Sequence, residues 1–257
     1  CLQALDALAA LAERGLSVHI VPPPDDAAAP ERARLAAWSI RDAGTLARRL
    51  GLSWSENVSQ PAPEATALAS AALVAAARQP GFAAAALKIG EALWRGDVAA
   101  LAAMPSADAA ETDAALTAAA KMRTDMGHYL GGTFLFEGEW YWGLDRLHYL
   151  EARLKAAGLI RPGAPDGFIA PVKDVECKAT PSNGAKPVLD YFFSFRSPYT
   201  WISIPRIRRL ARHYGADLRL RFILPMVMRG LPVPPPKSRY IMFDTKREAD
   251  RVGLPFG

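Results

Sequence analysis

The chain has 257 residues, and its 31 lysines and arginines against 26 aspartates and glutamates give it a net charge of +5. Hydrophobic residues make up 51% and charged residues 22%, which excludes disordered, collagen-like and polar low-complexity chains. Two cysteines are too few for a disulfide framework, and the four scattered histidines do not indicate a metal site. The modest positive charge does not indicate a nucleic-acid partner, and the apolar runs are too short to indicate a membrane span.

The first half of the chain is predicted to be mostly helical. A leucine at every third position indicates a helix over residues 2–14, and the alternating stretch 16–21, which ends before three prolines, indicates a strand. Alanine-rich segments with helical periodicity follow near 30–50, 63–78, 82–104 and 108–126. They predict a helical block inserted over about 30–126.

The second half alternates strands and helices. Two aromatic runs around Glu137 and Gly138 indicate a β-hairpin, and residues 144–156 return to helical periodicity. Residues 158–187, rich in proline and glycine, predict a linker that contains Cys177. The last predicted elements are, in order, a strand at 188–195, a helix at about 200–214, a strand at 217–224 and a helix at about 239–252.

An internal repeat relates the two ends of the chain. Ile204, Ile207, Leu210 and Ala211 align with Leu5, Leu8, Leu11 and Ala12, and both helices lead into a strand that ends in proline. The repeat predicts a first module at 1–157 that lacks its opening strand, the linker 158–187, and the start of a second module at 188–257. One hypothesis is that residues 188–195 supply the missing strand and pair in parallel beside 17–21.

Ser197 lies where a predicted strand turns into a predicted helix. The first amides of that helix would point at whatever Ser197 holds, and the helix dipole would stabilise an anion such as a thiolate there. This placement indicates a site for a reactive sulfur anion. The alternative is that Ser197 caps the helix and Pro198 follows at its first position, which accounts for both residues without any ligand.

The run 189–201 resembles the opening motif of kappa-class glutathione transferases and 2-hydroxychromene-2-carboxylate isomerases, which belong to the DsbA-like thioredoxin-fold group. In that motif a serine replaces the first cysteine of a Cys-x-x-Cys pair, here at Ser197. The resemblance continues through Lys237, Asp244 and the run 253–256, while residues 138–147 resemble the family's closing signature. It implies an α/β, thioredoxin-like fold with an inserted helical domain, in tandem, with the second copy incomplete.

The resemblance also implies a glutathione site. Ser197 would stabilise the glutathione thiolate and Lys237 would assist it, which makes these two the expected catalytic residues. Pro198, Tyr199 and Thr133 would bind glutathione, and Asp145 would contact its γ-glutamyl end. The implied activity is that of an isomerase or transferase acting on a small aromatic or electrophilic substrate, and we expect it in the cytoplasm, with a homodimer as the candidate assembly.

The first module departs from the family pattern. Gly131 and Gly132 precede Thr133 where the family has Val-Pro, Leu144 replaces the asparagine before Asp145, and the position that matches Lys237 is Leu35. We therefore predict that this copy has a structural or substrate-shaping role.

Two alternatives to the glutathione enzyme stay open. A DsbA-type thiol-disulfide oxidoreductase would need a cysteine three residues before Cys1, which aligns with Thr200. A non-catalytic thioredoxin-fold scaffold would need neither a glutathione site nor a redox-active cysteine pair.

Overall fold

The computed structural model describes residues 2–13, 15–23, 32–172 and 186–256. Cys1, Cys177 and the middle of the predicted linker lie outside these residues. The chain is mixed α/β and divides into two compact units, which we call unit 1 (Cys1–Val172) and unit 2 (Lys173–Gly257). In its described residues each unit contains one two-stranded sheet. None of the described helices is long and apolar enough to cross a membrane.

Unit 1 is mainly helical and confirms the predicted helical block and hairpin. Its helices are α1 (Leu2–Leu11), α2 (Arg32–Leu50), α3 (Pro63–Ala76), α4 (Phe82–Arg95), α5 (Val98–Ala102), α6 (Ala109–Asp125) and α7 (Leu147–Ala156). A 3-10 turn at Leu144–Arg146 leads into α7. The hairpin strands are β1 (Thr133–Phe136) and β2 (Glu139–Trp142).

The segment predicted as one helix over 82–104 is in fact two helices. Gly96 ends α4 in the left-handed conformation, with φ of 70°, which a glycine adopts without a steric penalty. Asp97 then caps α5, because its side chain accepts a hydrogen bond of 2.9 Å from the Ala100 N–H. A glycine followed by an aspartate therefore ends one helix and starts the next.

The hairpin turn consists of Glu137 and Gly138, both with positive φ (47° and 80°), as a two-residue turn of the mirror-image type requires. The strands pair from Thr133 with Trp142 to Phe136 with Glu139. The turn fixes this register, so Tyr141 is buried and Trp142 is exposed.

The predicted strand at 16–21 is wrong. Residues 15–23 have neither helix nor strand, and no backbone hydrogen bond among the described residues joins this stretch to a strand. An alternating apolar pattern favours an extended chain, but a strand also needs a partner whose N–H and C=O groups complete a ladder. Residues 16–21 therefore have the sequence pattern of a strand, but no strand among the described residues pairs with them.

The predicted linker begins too early at 158. Ala12 forms an antiparallel bridge with Ile160, and the Arg161 N–H donates to the Leu11 carbonyl at 3.0 Å. Ala170 is buried in the core that α1, the hairpin and α7 share. Residues 159–170 therefore pack on unit 1, which extends to Val172. Residues 173–185 lie outside the described residues.

Unit 2 begins with a β-α-β arrangement. It contains β3 (Val188–Phe193), α8 (Pro198–His213), β4 (Asp217–Phe222), a 3-10 turn (Met226–Arg229) and α9 (Pro235–Arg251). The two strands are parallel and pair from Val188 with Asp217 to Phe193 with Phe222. The hypothesis that residues 188–195 pair beside 17–21 is therefore wrong, because the strand partner of β3 in the described chain is β4.

Helix α9 starts earlier than the predicted residue 239. Prolines occupy its first two positions, where a missing N–H costs nothing because no carbonyl precedes it in the helix. The helix packs on α8, and buried residues from both helices, including Ile202, Tyr240 and Ala249, form the small core of unit 2.

Candidate functional site

Ser197 is the N-cap of α8. Its backbone is extended (φ −93°, ψ 114°), its side-chain oxygen accepts a hydrogen bond of 3.4 Å from the Thr200 N–H, and Pro198 occupies the first helical position. This is the capping arrangement that the sequence offered as an alternative. A serine hydroxyl can accept and donate together, and the described structure shows no acceptor for the Ser197 proton.

The turn between β3 and α8 is tightly held. The Ser197 N–H donates to the Ser194 carbonyl at 3.0 Å, and the Trp201 N–H donates to the Ser197 carbonyl at 3.3 Å. Ser194 itself is buried, 7% exposed, and its hydroxyl has no hydrogen-bond partner in the described part of the chain. Two serine hydroxyls with unused hydrogen-bonding capacity therefore belong to the turn that starts the helix.

Tyr199 joins the start of α8 to α9 through a buried carboxylate. Its hydroxyl donates to Asp244 Oδ2 at 2.7 Å, and the Tyr240 hydroxyl donates to Oδ1 at 3.2 Å. Arg247 Nη1 lies 3.7 Å from the same carboxylate, which is only 1% exposed. Two hydroxyl donors and a cation satisfy Asp244, so Tyr199 is a positioning element for the turn rather than a free phenol.

Lys237, the second predicted catalytic residue, lies in the first turn of α9 and is half-buried. It precedes Asp244 by seven residues, which corresponds to about 10 Å along the helix axis. The packing of α8 on α9 therefore places Ser197, Pro198, Tyr199 and Lys237 on one pair of contacting helices.

The other two predicted ligands of glutathione lie in unit 1. Thr133 is the first residue of β1, and its hydroxyl donates to the Leu130 carbonyl at 3.5 Å. Asp145 lies in the 3-10 turn after the hairpin and is exposed, with its Oδ2 2.7 Å from Arg146 Nη1. These residues share the hairpin and its following turn, and they belong to a different unit from Ser197.

Unit 1 contains a cavity of about 620 Å³ that Thr133 lines. One wall consists of residues from the 15–21 stretch, including Leu16, Val18 and Val21, and another of β1 with the two residues before it. Helices α1, α6 and α7 complete it with mostly aliphatic side chains. Its apolar lining suits an apolar occupant.

Arg123 is the cation in the lining of this cavity. Its Nε and Nη1 atoms are buried and have no hydrogen-bond partner among the described residues, and burial lowers the pKa of the guanidinium. His128 is fully buried and stacks on Tyr129, while burial, with a smaller contribution from Arg123, lowers its pKa to about 4. The imidazole is therefore neutral at pH 7, so it adds no second charge beside Arg123.

Sequence reasoning missed Arg123 and the ties of Asp244 to Tyr199 and Tyr240. The contact of Tyr199 with Asp244 joins residues 45 positions apart, and no local pattern marks Arg123 as a residue of the cavity. Asp244 was among the residues that resemble the family, but the resemblance implied no function for it. The described ranges contain no group of three histidine, cysteine, aspartate or glutamate residues that could hold a metal ion.

Comparison with known proteins gives no relative: no family model, no curated protein and no solved structure matches the chain.

Proposed function

We propose that the chain is a glutathione-dependent isomerase or transferase of the 2-hydroxychromene-2-carboxylate isomerase and kappa glutathione transferase type, built from thioredoxin-like modules in tandem. The observation that carries the proposal is Ser197, at the N-terminus of a 16-residue helix that directly follows a parallel strand. Such a helix end favours an anion through its dipole and its first N–H groups.

The residues of the turn fit a bound thiolate. Ser197 Oγ accepts from Thr200 N–H, which orients the hydroxyl so that its proton can be donated outward. Glutathione, when bound, would supply a thiol whose thiolate is a nucleophile toward an electrophilic substrate. A hydrogen bond from Ser197 and the positive end of α8 both favour the thiolate over the thiol, and so lower the thiol pKa. Lys237 would add positive charge from the first turn of α9.

The unused hydroxyl of Ser194 supports the same proposal. A buried polar group without a partner costs free energy, and a ligand with a donor or acceptor at this turn would remove the cost. Tyr199 and Asp244 would act indirectly, because their 2.7 Å hydrogen bond fixes the first turn of α8 against α9. The substrate would be a small aromatic or electrophilic molecule.

Calorimetry of glutathione binding tests the proposal. We expect the wild type to bind and Ser197→Ala to bind at least tenfold more weakly. Ser238→Ala, an exposed serine of α9, should leave binding unchanged. Absence of binding by the wild type would contradict the proposal.

A second candidate, a non-catalytic scaffold, is favoured by the capping hydrogen bond of Ser197 to Thr200. Ser197→Asp separates the two functions, because aspartate is an equally good N-cap but its charge repels a thiolate. If Ser197 holds glutathione, this variant should keep the wild-type melting temperature and lose binding. A scaffold would show no glutathione binding in either protein. The DsbA-type alternative depends on Cys1, which lies outside the described residues.

A further inference from the structure

Unit 1 and unit 2 carry net charges of opposite sign. The sequence of unit 2 has 16 lysines and arginines against seven aspartates and glutamates, a net charge of +9. Unit 1 has 15 against 19, a net charge of −4. The modest charge of the whole chain is therefore the sum of an acidic unit and a strongly basic one, and such an asymmetry indicates that the basic unit interacts with a polyanion.

Four of the cations of unit 2 lie on α8, and we call the surface that they form the arginine face (Arg206, Arg208, Arg209 and Arg212). The helix contains no lysine and no acidic residue. Three of the four arginines are exposed and Arg206 is half-buried. None of the four side chains has an ion pair or a hydrogen bond with another described residue. The face therefore presents four positive charges that the described part of unit 2 does not neutralise.

Other exposed cations of unit 2 do have acidic partners. These ion pairs join Arg219 with Asp217, Arg221 with Asp190, and Lys246 with Asp250. The acidic residues of unit 2 thus neutralise cations of β4 and α9 and leave those of α8 without a partner in the described structure.

The internal repeat indicates that the arginine face is not a surface on which a module packs. Arg208 and Arg212 align with Ala9 and Glu13, at the end of α1. Ala9 and Glu13 are exposed as well, although unit 1 also contains the hairpin and α7, which share a core with the opposite side of α1. The face is therefore exposed in both units, and its positive charge is a property of α8 that the fold does not require.

We propose that the arginine face of α8 binds the sugar-phosphate backbone of a nucleic acid. Arginine suits phosphate better than lysine does, because the planar guanidinium can donate two parallel hydrogen bonds to one phosphate group. The four arginines lie within about 9 Å of helix, which gives one positive charge per roughly 2 Å. Duplex DNA carries one negative charge per about 1.7 Å of its axis, so the two charge densities match.

The composition of the face favours a nucleic acid over a membrane or a protein. Between residues 205 and 213 the exposed side chains are Pro205, His213 and three arginines, while the apolar residues of these turns are half-buried or buried. A helix that binds a lipid surface exposes large apolar side chains beside its cations, and a protein interface has an apolar centre. Interfaces with nucleic acids are polar and positively charged. Contacts to phosphates alone carry no sequence information, so we infer binding that is independent of sequence.

The arginine face is separate from the proposed glutathione site. Arg208 follows Ser197 by eleven residues, which corresponds to about 16 Å along the axis of α8. Ser197 is the N-cap of the helix, whereas the arginines lie in its second half. The inference therefore does not depend on glutathione binding.

Fluorescence anisotropy of a short labelled DNA duplex, titrated with the full chain, tests the proposal. We expect saturable binding with the same affinity for two duplexes of unrelated sequence. The affinity should fall by at least tenfold between about 50 and 200 mM salt, because each phosphate that an arginine neutralises releases counterions.

The test variant combines Arg208→Gln, Arg209→Gln and Arg212→Gln. Its affinity for the duplex should fall by at least tenfold at low salt, and the slope of log K against log salt should decrease in magnitude by about 2–3, since three phosphate contacts are lost. Glutamine has nearly the same helix propensity as arginine, and all three positions are exposed. Circular dichroism should therefore give the wild-type melting temperature.

A matched control removes the same amount of charge from unit 2. It combines Arg219→Gln, Arg221→Gln and Lys246→Gln, three exposed positions that have acidic partners. If the arginine face is the binding surface, the control should lose less than threefold in affinity for the duplex. An equal loss in both variants would mean that the net charge of unit 2, and no particular surface, attracts DNA, which would overturn the proposal.

Two further outcomes would overturn the proposal. One is no binding of the duplex at low salt. The other is binding to polyglutamate, or to vesicles of equimolar phosphatidylcholine and phosphatidylserine, that depends on the arginine face and is at least as tight as binding to the duplex. Glutathione calorimetry on the test variant should give the wild-type affinity, so the two proposals can fail separately.

Discussion

Glu151 is a buried carboxyl on α7, only 3% exposed. Its two oxygens accept from the Ile169 N–H at 3.1 and 3.0 Å, which ties the chain after α7 back onto the helix. Burial raises the pKa of Glu151 from 4.5 to about 7, and the hydrogen bond from Ile169 opposes that rise only in part. The protonated form is therefore favoured by folding.

The raised pKa predicts that Glu151 makes unit 1 less stable as the pH rises. In the folded chain the carboxyl keeps its proton up to about pH 7, whereas in the unfolded chain it loses it near 4.5. The stabilisation is therefore complete below pH 4.5, and its loss by pH 8 is about 3 kcal/mol. Glu151→Gln should remove this slope, because glutamine stays neutral and can still accept from Ile169.

Urea unfolding between pH 4.5 and 8 measures the effect as the difference between wild type and Glu151→Gln. The difference is needed because His128 contributes the opposite slope: its pKa of about 4 means that stability is lost as the pH falls from 6.5 toward 4. The contribution of His128 is the same in both proteins and cancels. Parallel curves for the two proteins would show that Glu151 is ionised in the folded state at neutral pH.

At the scale of elements, β3 and α8 are joined by a small hydroxyl cluster. The Tyr191 hydroxyl lies 2.6 Å from Ser203 Oγ and 3.1 Å from the Thr200 carbonyl, and Ser203 Oγ donates to the same carbonyl at 2.9 Å. Pro205 interrupts the backbone bonds of α8 just beyond this point. The cluster therefore holds the strand against the part of the helix that starts at Ser197.

A double-mutant cycle with Tyr191→Phe and Ser203→Ala tests this connection. Each single change should destabilise unit 2 by about 1 kcal/mol, since each removes a half-buried hydrogen bond. The coupling between them should be about 0.5–1.5 kcal/mol, because both hydroxyls share the Thr200 carbonyl. Strictly additive effects in thermal unfolding would mean that the two hydroxyls act separately.

Elements with a local signature were predictable, and elements that depend on a distant partner were not. Glu137 and Gly138 specify the hairpin turn, and Gly96 with Asp97 explains a helix boundary that periodicity overlooked. The 16–21 stretch has the right pattern, but no strand among the described residues pairs with it, so the pattern alone predicted the wrong state. At the candidate site, the local sequence was enough to predict Ser197 as the N-cap of a helix. The contact of Tyr199 with Asp244 spans 45 residues and has no local marker.

On the scale of the molecule, the two units differ in how much core they contain. Unit 1 has two clusters of buried apolar residues, one around α1, the hairpin and α7 and one around α3, α4 and α5. Unit 2 is smaller and leaves Leu220 and Phe222 of β4 64% and 54% exposed. Since stability grows with the apolar surface that folding buries, unit 2 should be the less stable unit.

We therefore predict two unfolding transitions in urea, the first from unit 2. Trp201 is the one tryptophan of unit 2, and its indole N–H donates to the Pro255 carbonyl at 3.2 Å, so its fluorescence reports on that unit. Tyr199→Phe should lower the midpoint of the first transition alone, by an amount equivalent to about 1–2 kcal/mol, because Asp244 loses its shortest hydrogen bond. Glu151→Gln should move the second transition alone.

Trp201→Phe identifies which transition belongs to unit 2. In this variant the first transition should disappear from the fluorescence signal and remain in circular dichroism, because the helices α8 and α9 still unfold there. A single transition that Tyr199→Phe and Glu151→Gln both shift would instead mean that the units unfold together. In that case the effect of about 3 kcal/mol assigned to Glu151 would apply to the unfolding of the whole chain rather than of unit 1 alone.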